Sequence, residues 1–145
     1  MSDRQRILDI ITTGYAARQK GDLDGVMQAF CDNAQFRLNS TPAEPMLARS
    51  TESKQALRAA MGELIEQFEF SGMEILTCVV EGSTAAVHSK MKVKAKSTGN
   101  SMVTELFDLI EIKDGKIASF TQFFDTASAM DLLRAPPHAP VAATA

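Results

Sequence analysis

The chain has little of what the commonest reactive motifs require. It holds two cysteines, Cys31 and Cys78, in no CxxC spacing and each among apolar neighbours, which points to buried thiols rather than a disulfide or metal framework. No metal-ligand spacing, no phosphate-cradling glycine loop and no nucleophile motif occurs, so no metal and no cofactor is expected. No apolar run approaches the roughly 20 residues that a bilayer-spanning helix needs. The first ten residues, MSDRQRILDI, carry charge where a signal peptide has its apolar centre, so a cytoplasmic protein with no membrane partner is expected. A net charge of -3 gives no general attraction to nucleic acid.

What is present suits a globular domain. A 145-residue chain with 45% hydrophobic and 23% charged residues can bury about two thirds of the surface its unfolded form exposes. The expected organisation is one domain over residues 1–133. The Pro- and Ala-rich stretch RAPPHAPVAATA, 134–145, reads as a flexible tail.

Ile7, Leu8, Ile11 and Tyr15 recur at helical spacing and predict a helix over 3–20, ended by Gly21. Asp22 offers an N-cap to a short helix with Leu23, Val26, Met27 and Phe30 on its buried stripe. Asp32-Asn33 reads as a turn and AQFRLN as a strand with Phe36 and Leu38 on one face. Residues 40–50, with Pro42 and Pro45, read as a loop bordering a cavity mouth, where Arg49 could meet an anionic substituent or simply be solvated. Thr51 or Ser53 caps a long helix that runs to about Phe68, with Ala56, Leu57, Ala60, Met61, Leu64 and Ile65 on its buried face. Strands over 73–80, 84–96, 101–112 and 116–124, separated by turns at Gly82-Ser83, Ser97 to Asn100 and Asp114-Gly115, make an antiparallel meander. TASAMDLL reads as a closing helix. The sum is an α+β cone, N-terminal helices on a curved, mostly antiparallel sheet enclosing an apolar pocket, the default place for a small hydrophobic ligand.

Alternation along MVTELFDLIEI puts Met102, Thr104, Leu106, Asp108, Ile110 and Ile112 on one face, and that face is the more continuously apolar. Asp108 therefore lies between Leu106 and Ile110 on the inner side. A carboxylate there has its charged form disfavoured by desolvation, so it can serve as a hydrogen-bond donor or acid; it can also be a structural acid satisfied by its neighbours. His88, Lys90, Lys92, Lys94 and Lys96 alternate on the opposite face to Ser89, Met91 and Val93, a solvated outer stripe without the aromatics of a nucleic-acid surface. His88 has no matched catalytic partner.

The segments GDLDGVMQAFCDNAQF and FDLIEIKDGKIASFTQFFDTASA, with the DGKI turn and the later Phe-Asp, resemble the nuclear transport factor 2-like superfamily, in its SnoaL-like polyketide-cyclase and ketosteroid-isomerase-like branches. The resemblance spans about residues 5–133. Ketosteroid isomerases are similar around GDLDG. Carried over from there, their general base falls on Leu38, their oxyanion tyrosine on Gly14 beside Tyr15, and their protonated oxyanion Asp on Asp108. Limonene-type epoxide hydrolases are similar through DGKI. Their Arg-Asp pair falls on Ser89 and Met91, and only their later Asp is matched, by Asp125, so no acid is evident for an epoxide oxygen.

The resemblance implies a SnoaL-like protein without cofactor, with Asp108 and Asp125 as candidate catalytic acids for isomerase- or cyclase-like chemistry. If the two carboxylates face each other, one could hold the other protonated; Asp125 or Thr126 equally suits the N-cap of the last helix. Candidate pocket residues are Tyr15, Phe30, Leu38 and Met61, with Met91, Leu106, Ile110 and Phe123 from the strands. A homodimer through the outer sheet face is also implied. The rivals are a non-catalytic binding or dimerisation module and, against the missing Arg-Asp pair, a hydrolase.

Overall fold

The computed structural model describes residues 3–39 and 50–134; the Pro42–Pro45 loop, Arg49 and the tail beyond Arg134 lie outside the described residues. Helix α1 (Asp3–Lys20) buries Ile7, Ile11 and Ala17 and stops where Gly21 takes φ 70°. Its left-handed backbone lets the chain turn back at once, with Asp22 N–H donating to Ala17 O. The Asp22 carboxylate then accepts from Gly25 N–H at 3.0 Å and caps α2 (Leu23–Gln28). A Cβ at Gly25 would lie 2.4 Å from that carboxylate, so the cap needs glycine there.

Helix α2 is shorter than its apolar stripe suggests. Phe30 opens strand β1 (Phe30–Leu38), and Asp32-Asn33 is an irregularity inside that strand rather than a turn. Strand β2 (Ser50–Thr51) pairs with β1, and Ser53 caps α3 (Lys54–Gln67) by accepting from Ala56 N–H. Leu57, Ala60, Met61 and Leu64 form the buried face of α3, whereas Ala56 is exposed and Phe68 already belongs to β3 (Phe68–Glu81). The expected strand start at 73 is late because Gly72, which looks like a boundary, sits at φ 62° within the strand. Strands β4 (Thr84–Ala95), β5 (Ser101–Lys113) and β6 (Lys116–Phe124) complete the meander, and α4 (Thr126–Arg134) closes the chain.

The sheet order is β2-β1-β6-β5-β4-β3, antiparallel except where β1 runs parallel to β6. Helices pack on one side of this curved, unclosed sheet, giving the expected α+β layout. On β5 the face from Met102 to Ile112 is buried at every second residue, as alternation requires. The outer face keeps Leu109 and Phe107 in solvent. Cys31 and Cys78 are free and half-buried, less enclosed than their apolar context suggests. Among the described residues no helix is long and apolar enough to cross a membrane.

These placements predict unequal costs for two leucine truncations. Leu57, fully buried under the sheet, should lose about 2–5 kcal/mol of stability as Leu57→Ala. Leu109→Ala, on the outer face, should change the stability of the unassociated chain by about 0.5 kcal/mol. Urea unfolding of both variants checks the face assignment, and similar losses would reverse it.

Candidate functional site

Between α1, α3 and the concave face of the sheet lies an apolar cavity of about 100 Å³. Tyr15, Phe30, Leu38, Met61, Met91, Leu106 and Ile110 all line it, drawn together from five elements. The volume is below the roughly 150 Å³ that accommodates benzene in an engineered core. Four flexible methionines, Met61, Met73, Met91 and Met102, form part of the wall and can yield to a somewhat larger guest.

Asp108 stands behind this wall rather than in it. It is 0% exposed, and its Oδ2 accepts the Tyr15 hydroxyl at 2.5 Å. Its Oδ1 has no hydrogen-bond partner of good geometry among the described residues, although Gln122 lies opposite it on β6 and favours the charged form. Burial dominates and pushes the Asp108 carboxyl up to about 6, against the opposing pull of Tyr15 and Gln122. The Tyr15 hydroxyl is driven far above its ordinary range, first by burial and then by the adjacent Asp108 charge, so its phenolate does not form. Tyr15 is the group of this pair that meets the cavity.

Two candidate residues do not join the site. Asp125 caps α4, accepting from Ser128 N–H at 3.0 Å and from the Ser128 hydroxyl at 2.7 Å. These bonds hold its carboxyl below the usual carboxylate range, the reverse of what an acid catalyst needs. It borders an outer groove with Asn39, Phe107 and Phe123, so the two carboxylates do not share one cavity. Phe123 also faces outward, 38% exposed, its ring 6.5 Å from Phe107 and 5.9 Å from the Arg37 guanidinium.

The cause of the Phe123 inversion is a bulge. At the β5–β6 turn Lys113 pairs with Lys116 and Ile112 with Ile117, and a straight continuation would set Leu106 opposite Phe123 and Asp108 opposite Thr121. Beyond Ile112 the register shifts by one residue, so Leu106 meets Phe124 and Asp108 meets Gln122. Phe120, Gln122 and Phe124 therefore line the cavity.

Reading the sequence also passed over Arg18. It follows Ile11 by seven residues and Tyr15 by three, hence on the cavity face of α1, and that spacing was the available signal. Its Nη2 donates to Leu64 O at 3.1 Å and Phe68 O at 3.2 Å, and its guanidinium lies 3.8 Å from the centre of the Phe70 ring. Tyr15 and Arg18 are the titratable side chains of the lining among the described residues. There is no described group of three or more His, Cys, Asp or Glu able to hold a metal. At the position matching the epoxide hydrolase Arg stands buried Ser89, its hydroxyl without a partner among the described residues, and at the Asp position stands Met91. His88 is turned outward, 2.6 Å from Glu105.

The sequence profile described as SnoaL-like domain matches residues 11–120. No curated protein matches the sequence. Solved structures share the fold at low identity. An NTF2-like protein of unknown function from Burkholderia pseudomallei has a TM-score of 0.80 and 19% identity, covering 93% of this chain and 100% of its own. A candidate SnoaL-like polyketide cyclase from a Jannaschia species has a TM-score of 0.76 at 14% identity, over 92% of this chain and 94% of its own. An LEH-like epoxide hydrolase from M. tuberculosis has a TM-score of 0.70, also at 14%, over 90% and 91%.

Asp108 should make stability depend on pH. With a native value near 6 and an unfolded one of about 4, its contribution is fully present below pH 4 and is lost as pH rises through 6. Asp108→Asn keeps an acceptor for Tyr15 and removes the titration. Its stability relative to the parent should rise by about 2–3 kcal/mol between pH 4 and pH 7.5, read by urea unfolding. A constant difference would mean that Asp108 is not a desolvated carboxyl.

Proposed function

Because the chain belongs to the SnoaL-like domain family, we propose that it binds a small, largely apolar carbonyl compound in the cavity and handles a proton at the carbonyl oxygen through Tyr15 and Asp108, without a cofactor. The observation that carries this reading is the 2.5 Å bond from the Tyr15 hydroxyl to a carboxyl with no access to water. When Asp108 is ionised, the Tyr15 hydrogen is committed to it and the cavity is offered only oxygen lone pairs. When Asp108 carries a proton, that proton can be donated to the Tyr15 oxygen, which frees the Tyr15 hydrogen for a ligand carbonyl. Transfer then moves one proton from Asp108 to Tyr15 and one from Tyr15 to the ligand, and Tyr15 stays neutral throughout. The carboxyl sits at about 6, close enough to neutrality for both states to be populated.

A second reading, a binding protein without turnover, is favoured by the lining itself. No carboxylate, imidazole or amine faces the cavity among the described residues, so no base is at hand for a C–H proton. Cyclohexanone separates the two readings. Its dissociation constant should fall as pH drops from 7.5 to 5, and Tyr15→Phe should weaken binding about tenfold and flatten the pH profile, the worth of one hydrogen bond. Accelerated deuterium exchange at its α-carbons, followed by NMR in D₂O, marks catalysis; binding without exchange marks the second reading. A parent protein that binds no cyclohexanone at any of these pH values rejects both.

Family membership also supports a homodimer through the outer sheet face. Val79, Phe107 and Leu109 stand exposed there, and Glu74 and Glu105 lie across from Lys90 in the strand register, which tempers the basic stripe. Light scattering should give twice the chain mass of 15.7 kDa; a monomer mass at micromolar concentration would remove this part of the reading.

A further inference from the structure

We propose that the ligand of the cavity is a small carboxylate, its apolar body in the cavity and its charge seated on Arg18. This rests on the cavity being a binding site and names the class of molecule it takes. A guanidinium has five N–H donors. At Arg18 the two bonds to Leu64 O and Phe68 O both leave from Nη2, and Nη1 and Nε have no partner among the described residues. The ion pairs of the described residues engage Arg6, Lys54, Arg58 and His88, and none engages Arg18. Burial lowers the Arg18 guanidinium to about 10, which leaves it charged at neutral pH.

Arg18 is half-buried, so its charge is only partly solvated, and a partner that supplies charge and acceptors together replaces the water that burial removes. The fixed surroundings of Arg18 shape what can approach. The α3 carbonyl of Leu64, the Phe68 carbonyl and the Phe70 ring hold the guanidinium in place, so its planar fork is preorganised for a carboxylate. No second cation lines the cavity among the described residues, so a single negative charge is matched and a dianionic phosphate is not. Tyr15 and Arg18 are three residues apart on α1, about 4.5 Å along the helix axis. Both side chains line the one cavity, so a small oxo acid, with a carbonyl for Tyr15 and a carboxylate for Arg18, combines the two contacts.

Hexanoate and hexanamide, equal in shape and different in charge, test the assignment by calorimetry at pH 8. The parent protein should bind hexanoate at least tenfold more tightly. Arg18→Gln should erase that preference while leaving hexanamide affinity within about threefold, and Arg18→Lys should keep part of it. Equal affinity for the two ligands in the parent, or an undiminished preference in Arg18→Gln, overturns the inference while leaving the cavity a binding site. Binding of neither ligand overturns both. The comparison in the parent stands by itself if Arg18→Gln does not fold, and an arginine that served only to tie α1 to α3 would produce no charge preference at all.

Discussion

The cost of keeping a carboxyl away from water organises the wall of the cavity. Asp108 is sealed by the sheet on its own strand and by Tyr15 from α1, and the single strong bond it receives crosses 93 positions of sequence. That bond ties the first helix to the third strand of the meander beside the cavity. It also settles which atoms the cavity shows: a phenolic oxygen in front, with the titrating group behind it. A carboxyl in that position is shielded from bulk solvent and reaches a guest only through its partner. The chemistry available is therefore that of the pair, and its two ionisation states present opposite hydrogen-bonding faces.

Helix α1 carries two polar groups of unlike kind into the same apolar space. Tyr15 is neutral and coupled to a buried acid, while Arg18 is charged and held by main-chain carbonyls and an aromatic ring. Leu38, where a ketosteroid isomerase would have its base, adds only apolar surface. Such a lining can orient a guest from one side and leaves the opposite side to contact by dispersion. Orientation without an opposing base is compatible with recognition and with acid assistance, and it sets a limit on how much rate acceleration the pocket's own residues can supply.

Much of this was legible in the sequence because burial writes itself into periodicity. Alternation along β5 placed Asp108 inward, and helical spacing placed Tyr15 and Met61 toward the same space. Local signals failed where one residue changes everything downstream. Phe30 has the spacing of α2 but the chain has already turned to strand, and Gly72 punctuates β3 without ending it. In FTQFF aromatic residues occupy both parities, so composition cannot choose the inner face, and the choice falls to a register shift that no residue announces. Asp125 illustrates a different limit. A cap and a catalytic acid use the same side chain, and only its bonds to Ser128 separate them.

The shift beyond Ile112 has a further meaning for how this cavity can diversify. What β6 contributes to the interior beyond Ile117, the rings of Phe120 and Phe124 and the amide of Gln122 facing Asp108, is selected by one supernumerary residue near Ala118. Taking that residue into the ladder, so that the bulge is straightened, would exchange the inward set for the outward one: Ser119, Thr121 and Phe123 would enter, and Phe120, Gln122 and Phe124 would leave. A lineage could thus rewrite the polarity of its binding chamber through a substitution that straightens or moves this one bulge, with the strand order untouched and every pocket residue on the other elements still in place.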